Sequence, residues 1–315
     1  MSFLSTAVQS VLEQGPFCAV ATTTGRGPHC TPLVFAYSGG RIWLTTSRRS
    51  VKARAWRNDP SVAGLVRHGE LSVTLTGSVR TYDALDRSTW GAAVAGATSI
   101  ARATATFSRK NARFFAGYAF DAKQVPLAWT PPGRVFVGVD LERTALLDAD
   151  GVQEGRGRWG GEPASHASFR RATKGADPLA VLPESIASAI GREGDGALTL
   201  VGERGPVVLP VRWRAETAAL YVALPAETLA LADAGADASV ALTIDTPSIW
   251  RARDMVGAMV QGDAACFVDG AVGSGAKTAF TLARGIDPDA DALLRVAPRR
   301  LVWWEGWSSG SADVP

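Results

Sequence analysis

Polar and apolar residues alternate along much of the chain, which is the pattern of β-strands that bury one face. The alternating segments are rich in Thr, Val, Leu and Phe, which favour strands over helices. Helical spacing is confined to short stretches, one ending at Gly15 and one aromatic-rich stretch over 107–121. Many strands with few long crossovers predict an antiparallel barrel, a mainly β fold of the α+β class. The predicted strands are 17–24, 31–37, 41–46 and 71–81.

The strand pattern occurs twice along the chain. Residues 26–35 align with 204–213 at an offset of 178 (204 − 26), with four identical positions. Gly77 aligns with Gly262 at an offset of 185 (262 − 77), which indicates a short insertion. Because the matches keep one order, we predict an internal duplication, with two tandem barrels that each follow a short helix. Further matches pair 42–44 with 220–222, 8–15 with 182–191, and 134–137 with 300–303.

The duplication predicts two domains. The first covers residues 1–150 and the second, 179–315. The interval 151–178 is rich in Gly, Arg, Ser and Pro and has no clear periodicity, so we predict a linker there. A chain of 315 residues that is 46% hydrophobic can bury two cores, which excludes general disorder.

Composition excludes several classes of function. A net charge of +3 is too small for a protein that coats nucleic acid or a membrane. The three cysteines and three histidines form no cluster, so we expect neither a disulfide framework nor a metal site. The N-terminus lacks a basic signal segment, and the most apolar stretch, 90–101, is too short to span a membrane. We expect a cytoplasmic protein, monomer or homodimer, that acts on a small molecule.

Positive charge is concentrated around one loop. The segment from Gln14 to Asn58 contains no Asp or Glu but carries +7, so the rest of the chain carries −4 (3 − 7). A predicted strand leads here into Ser47-Arg48-Arg49-Ser50 and a helix that contains Lys52. Hydroxyls and free N–H groups at a helix start, beside cations, can bind an anion. A Ser-capped basic helix facing solvent is the alternative.

The order and spacing of three motifs resemble those of the flavin-binding split β-barrels related to pyridoxamine 5'-phosphate oxidase. The resemblance covers residues 10–82 and, more weakly, 195–268. It implies a split barrel in each half. The motifs are a hairpin with Gly27-Pro28 and Pro32, a loop from Thr45 to Lys52 followed by Asn58-Asp59-Pro60, and a strand closing at Thr76-Gly77.

The resemblance also implies a cofactor and a reaction. In that family the flavin ring lies against the hairpin strands, and its phosphate meets the loop after the third strand. FMN is the implied cofactor, in an oxidoreductase that passes hydride or electrons between the flavin and a small molecule. No catalytic acid or base is implied. The implied ring-lining residues are Thr31, Pro32 and Leu33, and those implied for the ribityl and phosphate oxygens are Thr45, Thr46, Ser47, Ser50 and Lys52.

The chain also departs from the oxidase pattern. Thr31 stands where the oxidases have a phosphate-binding Arg, Val51 replaces the Arg of their Ser-Arg-Lys, and Ser72 replaces a Gln. We therefore predict a divergent branch of the superfamily. Two alternatives stay open: a deazaflavin-dependent reductase, or a non-catalytic protein that binds flavin, haem or another tetrapyrrole. The arginines that favour the deazaflavin are Arg48, Arg49, Arg54 and Arg57.

The second half lacks the phosphate-binding residues. Residues 223–233, after its third strand, contain two acids and neither Lys nor Arg, so a phosphate there would be repelled. We predict one cofactor per chain, held by the first barrel and covered by the second as a degenerate partner. His29 is either a proton donor beside the ring or an outward-facing strand residue. Trp303, Trp304 and Trp307 either stack on the ring or close the core.

Overall fold

Two β-barrels, each built from one seven-stranded sheet, make up the fold. The predicted class, mainly β with two tandem split barrels, is confirmed. The computed structural model describes residues 4–121, 123, 125, 133–246, 250–270 and 273–314.

The first sheet contains β1 (Phe17–Thr24), β2 (Gly27–Ser38), β3 (Arg41–Ser47), β4 (Ser61–His68), β5 (Leu71–Tyr82), β6 (Arg134–Asp148) and β7 (Gly151–Arg156). Its helices are α1 (Thr6–Gln14) before β1, α2 (Val51–Ala55) after β3, and α3 (Trp90–Ala95), α4 (Ala97–Lys110) and α5 (Ala112–Phe120) between β5 and β6.

The second sheet contains β8 (Glu193–Gly202), β9 (Gly205–Glu216), β10 (Ala219–Leu224), β11 (Asp237–Thr246), β12 (Val256–Val268), β13 (Ala292–Glu305) and β14 (Ser308–Asp313). Its helices are α6 (Glu184–Ile190) before β8, α7 (Ala226–Ala230) after β10 and α8 (Ala276–Ile286) before β13.

Each sheet closes on itself. The first has the order β3-β2-β1-β4-β5-β6-β7, and β3 also pairs with β6, so six antiparallel strands form a barrel that β7 extends. The second sheet repeats this order and closure, with β10 pairing with β13. Helix α1 buries Val8, Val11 and Leu12 against the first barrel, and Ser5 caps it by accepting a hydrogen bond from the Val8 N–H at 3.2 Å.

The two barrels correspond position by position. Val20 pairs with Thr31 in the first, and Leu198 pairs with Leu209 in the second, at the predicted offset of 178 (209 − 31). The register of β4 on β1 is repeated by β11 on β8 at the same offset. This repetition supports the predicted internal duplication.

A bulge occurs at the same place in both barrels, and it corrects one predicted match. Gly77 pairs with Leu141 and Gly262 with Pro298 beside these register shifts, so β6 and β13 correspond at an offset of 157 (298 − 141). The predicted alignment of 134–137 with 300–303 is wrong, because it joined similar strings from different points of the two strands. In the structure Arg134 corresponds to Asp291, and Arg143 to Arg300.

The barrels contact each other through small and apolar side chains, so their backbones approach closely. Thr243 Oγ1 donates to the Cys30 carbonyl at 3.0 Å, and Gln261 Nε2 donates to the Pro28 carbonyl at 2.6 Å. The second barrel therefore holds the start of β2 in place. The interface cluster comprises Ala21, Cys30, Ala63, Leu65, Ala197 and Val208.

At one pair of corresponding positions in the interface, the two barrels carry opposite charges. Arg67 in β4 and Asp245 in β11 are 178 residues apart (245 − 67), and Arg67 donates to the Gly196 carbonyl across the interface. Burial lowers the pKa of Arg67, and the charges of Asp195 and Asp245 oppose this. Burial raises the pKa of Asp245, and the charge of Arg67 opposes it. The two side chains therefore stabilise each other's charge.

The helices between β5 and β6 join the two barrels. Phe107 and Phe114 pack on the outer face of β2, against Val34 and Ala36. At the end of α5, the buried Asp121 pairs with Arg251 and Arg253 of the second half. None of the helices in the described part of the chain is long and apolar enough to cross a membrane.

Candidate functional site

The structure brings together two predicted residues that are distant in sequence. Lys52 in α2 donates a hydrogen bond from Nζ to Thr31 Oγ1 in β2. The Lys52 side chain is buried, with 3% of its surface exposed. Helix α2 packs on β1, which pairs with β2, so a side chain from α2 reaches Thr31.

The loop between β3 and α2 presents hydroxyl groups. Ser50 caps α2 by accepting a hydrogen bond from the Ala53 N–H at 3.0 Å. Thr46 Oγ1 donates to Ser50 Oγ at 3.1 Å, and Thr46 is buried at the end of β3. Serine caps the helix because its oxygen replaces the missing intrahelical acceptor. Thr31, Thr46, Ser50 and Lys52 thus belong to one connected region.

The other predicted residues lie around this region. Thr45 lies on the opposite face of β3 from Thr46, where its hydroxyl accepts a hydrogen bond from Arg134 Nε at 3.0 Å. Ser47 accepts a weak hydrogen bond from the Arg49 N–H at 3.3 Å. Pro32 and Leu33 follow Thr31 in β2 and are partly exposed.

The amine of Lys52 has an unusual environment for a cation. Burial lowers its pKa to about 8. Across the described residues, no carboxylate forms an ion pair with Lys52. A phosphate group would supply the missing negative charge, and Thr31, Thr46 and Ser50 have hydroxyls that can donate to its oxygens. The residues present therefore fit the phosphate end of a nucleotide-like cofactor.

His29 lies two residues before Thr31, on the same face of β2. Burial, followed by the positive charges of Lys52 and Arg300, lowers the pKa of His29 to about 3. The imidazole is therefore neutral at physiological pH, and protonating it there is unfavourable. Cys30 points the other way, into the interface, where burial raises its pKa. A reactive thiol at Cys30 is disfavoured by that burial.

The equivalent region of the second barrel has different chemistry. Leu209 stands at the position of Thr31, Leu224 at that of Thr46, and Asp291 at that of Arg134. One residue, Pro225, separates β10 from α7, and that helix carries Glu227. Apolar and acidic side chains thus replace the hydroxyls and cations, as predicted from the sequence of this segment.

Part of the predicted linker packs on this second region. Its first residues form β7, and the chain then runs past α7, with Gly160 against the Ala230 carbonyl. The Trp159 ring lies 4.9 Å from the Arg143 guanidinium, and its carbonyl accepts from Arg204 at 2.6 Å. The linker therefore covers the end of the second barrel.

Sequence reasoning missed the role of Arg134 in the region of the first barrel, and it named Trp307 without locating its contact. Arg134 was noted only as part of a repeat, yet its guanidinium is bonded to both the hydroxyl and the carbonyl of Thr45. Trp307 comes from the second half and packs edge-on against Tyr118 of α5 at 5.2 Å. Both contacts depend on long-range pairing, so no local signal could have found them.

Comparisons with known proteins find one family and several solved structures that are similar to part of the chain. The sequence model of the family described as pyridoxamine 5'-phosphate oxidase matches residues 5–112, about a third of the chain. No curated protein sequence matches.

Several solved structures resemble the chain. A FAD-binding protein from Mesorhizobium loti is 19% identical, covers 45% of this chain and 94% of its own, and has a TM-score of 0.34. A pyridoxamine 5'-phosphate oxidase-related, FMN-binding protein from Nostoc punctiforme is 16% identical, covers 49% of this chain and 88% of its own, and has a TM-score of 0.34. An F420 reductase is 19% identical, covers 45% of this chain and 98% of its own, and has a TM-score of 0.30.

The family match falls on the helix, hairpin, loop and strands that form the first barrel and carry Thr31 and Lys52. Residues 5–112, which form most of the first barrel, are thus similar to the family described as pyridoxamine 5'-phosphate oxidase.

Proposed function

We propose that the first barrel binds a phosphorylated flavin, FMN in the simplest case, and that the protein is an oxidoreductase acting on a small molecule. The observation that carries the proposal is the buried amine of Lys52, which contacts the Thr31 hydroxyl and belongs to the helix that Ser50 caps. When bound, the flavin supplies the hydride or electron transfer. The protein then has to bind, orient and shield it.

Each residue has a separate part in this proposal. Lys52 would hold the cofactor phosphate, with Thr31, Thr46 and Ser50 as hydroxyl donors to its oxygens. Arg134 positions Thr45 through two hydrogen bonds, and Pro32 and Leu33 would line the ring. The second barrel would exclude water from this side. His29 would act as a neutral hydrogen-bonding group beside the ring, because its low pKa opposes a protonated form.

A deazaflavin is the second candidate cofactor. Arg49, Arg54 and Arg57 are exposed before, within and after α2, next to the phosphate region. Arg48 is engaged by Asp83 at 2.7 Å and contributes less. Exposed arginines can bind the acidic tail that a deazaflavin carries beyond its first phosphate. Removing the three exposed charges would weaken deazaflavin binding and leave FMN binding nearly unchanged.

The absorption spectrum of the purified protein separates the cofactor classes, since flavin, deazaflavin and haem absorb differently. For the phosphate assignment, FMN and riboflavin are titrated into wild-type protein and into Lys52→Met. We expect the variant to bind FMN about 10- to 100-fold more weakly, because a charge-assisted hydrogen bond is lost. Riboflavin, which lacks the phosphate, should bind both equally.

The matched control is Lys110→Met. Lys110 is also largely buried, and its pKa is also lowered to about 8, but its amine donates to the Leu12 carbonyl at 3.0 Å, away from α2. This variant should keep the preference for FMN over riboflavin. An unchanged preference in Lys52→Met would overturn the phosphate assignment. A wild-type protein that binds no flavin, deazaflavin or haem would overturn the proposed function.

A further inference from the structure

We propose that Arg300, supplied by the second barrel, forms a second anion-binding position with His29, beside the phosphate position at Lys52. The ligand group is a small oxyanion, a phosphate or a carboxylate. It belongs either to a second anionic group of the cofactor or to the substrate. This inference rests on the proposed function only for the identity of the molecule that carries the anion.

Strand pairing directs Arg300 at the first barrel. Arg300 lies directly opposite Gln261 in the β12–β13 pair, so both side chains leave the same face of the sheet. The Gln261 amide crosses the interface and donates to the Pro28 carbonyl. Arg300 therefore faces the start of β2, where His29 follows Pro28.

The guanidinium of Arg300 is incompletely satisfied. Its Nη2 donates to Ser311 Oγ at 2.7 Å. Its Nε is buried and, among the described residues, has no hydrogen-bond acceptor. A buried N–H without an acceptor is costly, and an oxyanion would satisfy it with a charge-assisted hydrogen bond.

The equivalent residue of the first barrel shows what a satisfied arginine looks like here. Arg143 Nε donates to Thr76 Oγ1 at 2.8 Å, and Nη2 donates to the Arg204 carbonyl at 3.1 Å. The Trp159 ring covers its guanidinium. At the Arg300 position, Gln261 replaces Thr76 and turns its amide toward Pro28, so the Nε acceptor is lost.

Arg300 has no ion-pair partner among the described residues, although Asp313 lies opposite it in the β13–β14 pair, so an anion beside it is favoured. The positive charges of Lys52 and Arg300 both act on His29, after burial, to depress its pKa. His29 and Thr31 are two residues apart on one strand face, about 7 Å along β2. The proposed position is therefore a neighbour of the Lys52 phosphate position and distinct from it.

The first test uses inorganic phosphate and cofactor-free protein, so that it does not depend on flavin binding. Thermal melting with increasing phosphate is followed for wild type, Lys52→Met, Arg300→Met and Arg143→Met. We expect Lys52→Met and Arg300→Met each to lose the stabilisation that phosphate gives at its own position, so that both show a smaller rise in Tm with phosphate than wild type, and Arg143→Met to show the wild-type rise. A wild-type response in Arg300→Met, or an equal loss in Arg143→Met, would overturn the inference.

The second test identifies the source of the anion. If Arg300→Met weakens FMN or deazaflavin binding and leaves riboflavin binding unchanged, the anion belongs to the cofactor. If it leaves all of these unchanged but raises KM for an anionic electron acceptor and not for a neutral one, the anion belongs to the substrate. Arg300-dependent phosphate binding in a protein that takes up no flavin or deazaflavin would refute the proposed function and leave this inference standing.

Discussion

Lys52 and Thr31 lie 21 residues apart in sequence, and the amine of one donates a hydrogen bond to the hydroxyl of the other inside the protein. An ammonium group held by a neutral hydroxyl has lost hydration without gaining a counter-charge. Its lowered pKa is a consequence of this position. The protonation state of Lys52 therefore links pH to both ligand binding and stability.

Cofactor affinity should fall as the pH rises above about 8. In the free protein the amine of Lys52 loses its proton near that pH, whereas a bound phosphate would keep it protonated. Each pH unit above 8 should weaken FMN binding by up to 10-fold, and riboflavin binding should stay level. Fluorescence titrations between pH 7 and pH 9.5 measure this. This dependence of FMN affinity on pH should disappear in Lys52→Met. If it persisted in that variant, another group would be responsible for it.

Without cofactor, stability should change with pH in the opposite direction. The amine of Lys52 has a pKa of about 8 in the folded protein and about 10.4 in the unfolded chain, so the unfolded chain binds more protons between these values. The free energy of unfolding should thus rise with pH across that window, on the order of 3 kcal/mol from this residue. Urea unfolding of wild type and Lys52→Met at pH 7.5 and pH 10 checks this. An equal difference between the two proteins at both pH values would contradict it.

The linker should stabilise the packing between the two barrels without taking part in cofactor binding. Trp159→Ala removes the ring from the Arg143 guanidinium, and we expect a loss of about 2 kcal/mol in the free energy of unfolding. The stoichiometry should stay at one flavin per chain, because Leu209, Leu224 and Asp291 offer nothing to a phosphate.

Trp90→Ala is the control for this substitution. Trp90 also lies near an arginine, Arg87 at 5.8 Å, but 49% of its surface is exposed, so its removal should change stability by less than about 0.5 kcal/mol. Two flavins bound per chain in Trp159→Ala would show that the linker blocks a working site. If Trp159→Ala also lost less than about 0.5 kcal/mol, the packing of Trp159 would not stabilise the protein.

Charge reversal tests the contact between the barrels. Arg67→Asp places two carboxylates at equivalent interface positions, and Asp245→Arg places two guanidinium groups there. Each should lower the free energy of unfolding by on the order of 1 kcal/mol, because two like charges then lie at a half-buried contact between the barrels. The double variant, with the charges exchanged, should recover part of the loss. If urea unfolding of the double variant gave a loss in free energy equal to the sum of the two single losses, the two residues would not be coupled.

Much of the fold could be predicted because it is encoded locally. Alternation predicts the strands, and the two hairpins with Gly27 and Gly205 give the offset that the strand registers confirm. Ser50 is a recognisable helix cap, and the cation-rich loop is visible from the absence of acids between Gln14 and Asn58. These signals need only neighbouring residues.

The features that could not be predicted from the sequence depend on strand register and on contacts between the two halves of the chain. The bulge at Gly77 shifts the pairing of β6, so the match of 134–137 with 300–303 was made at the wrong offset. Arg134 reaches Thr45 only because β3 pairs with β6 across the helices between β5 and β6. No local pattern reports such a pairing, and the same holds for the position of Arg300 and for the contact of Trp307 with Tyr118.

The exchange of Arg134 for Asp291 between equivalent positions has a consequence for how a ligand arrives. The two barrels share one topology, yet the corresponding ends carry opposite local charge, with Lys52 and Arg134 at one end and Glu227 and Asp291 at the other. An approaching anion is attracted toward one end of the molecule and repelled from the other before it makes any contact. The charges thus distinguish the two ends of the molecule, although the strand topology of the two barrels is the same.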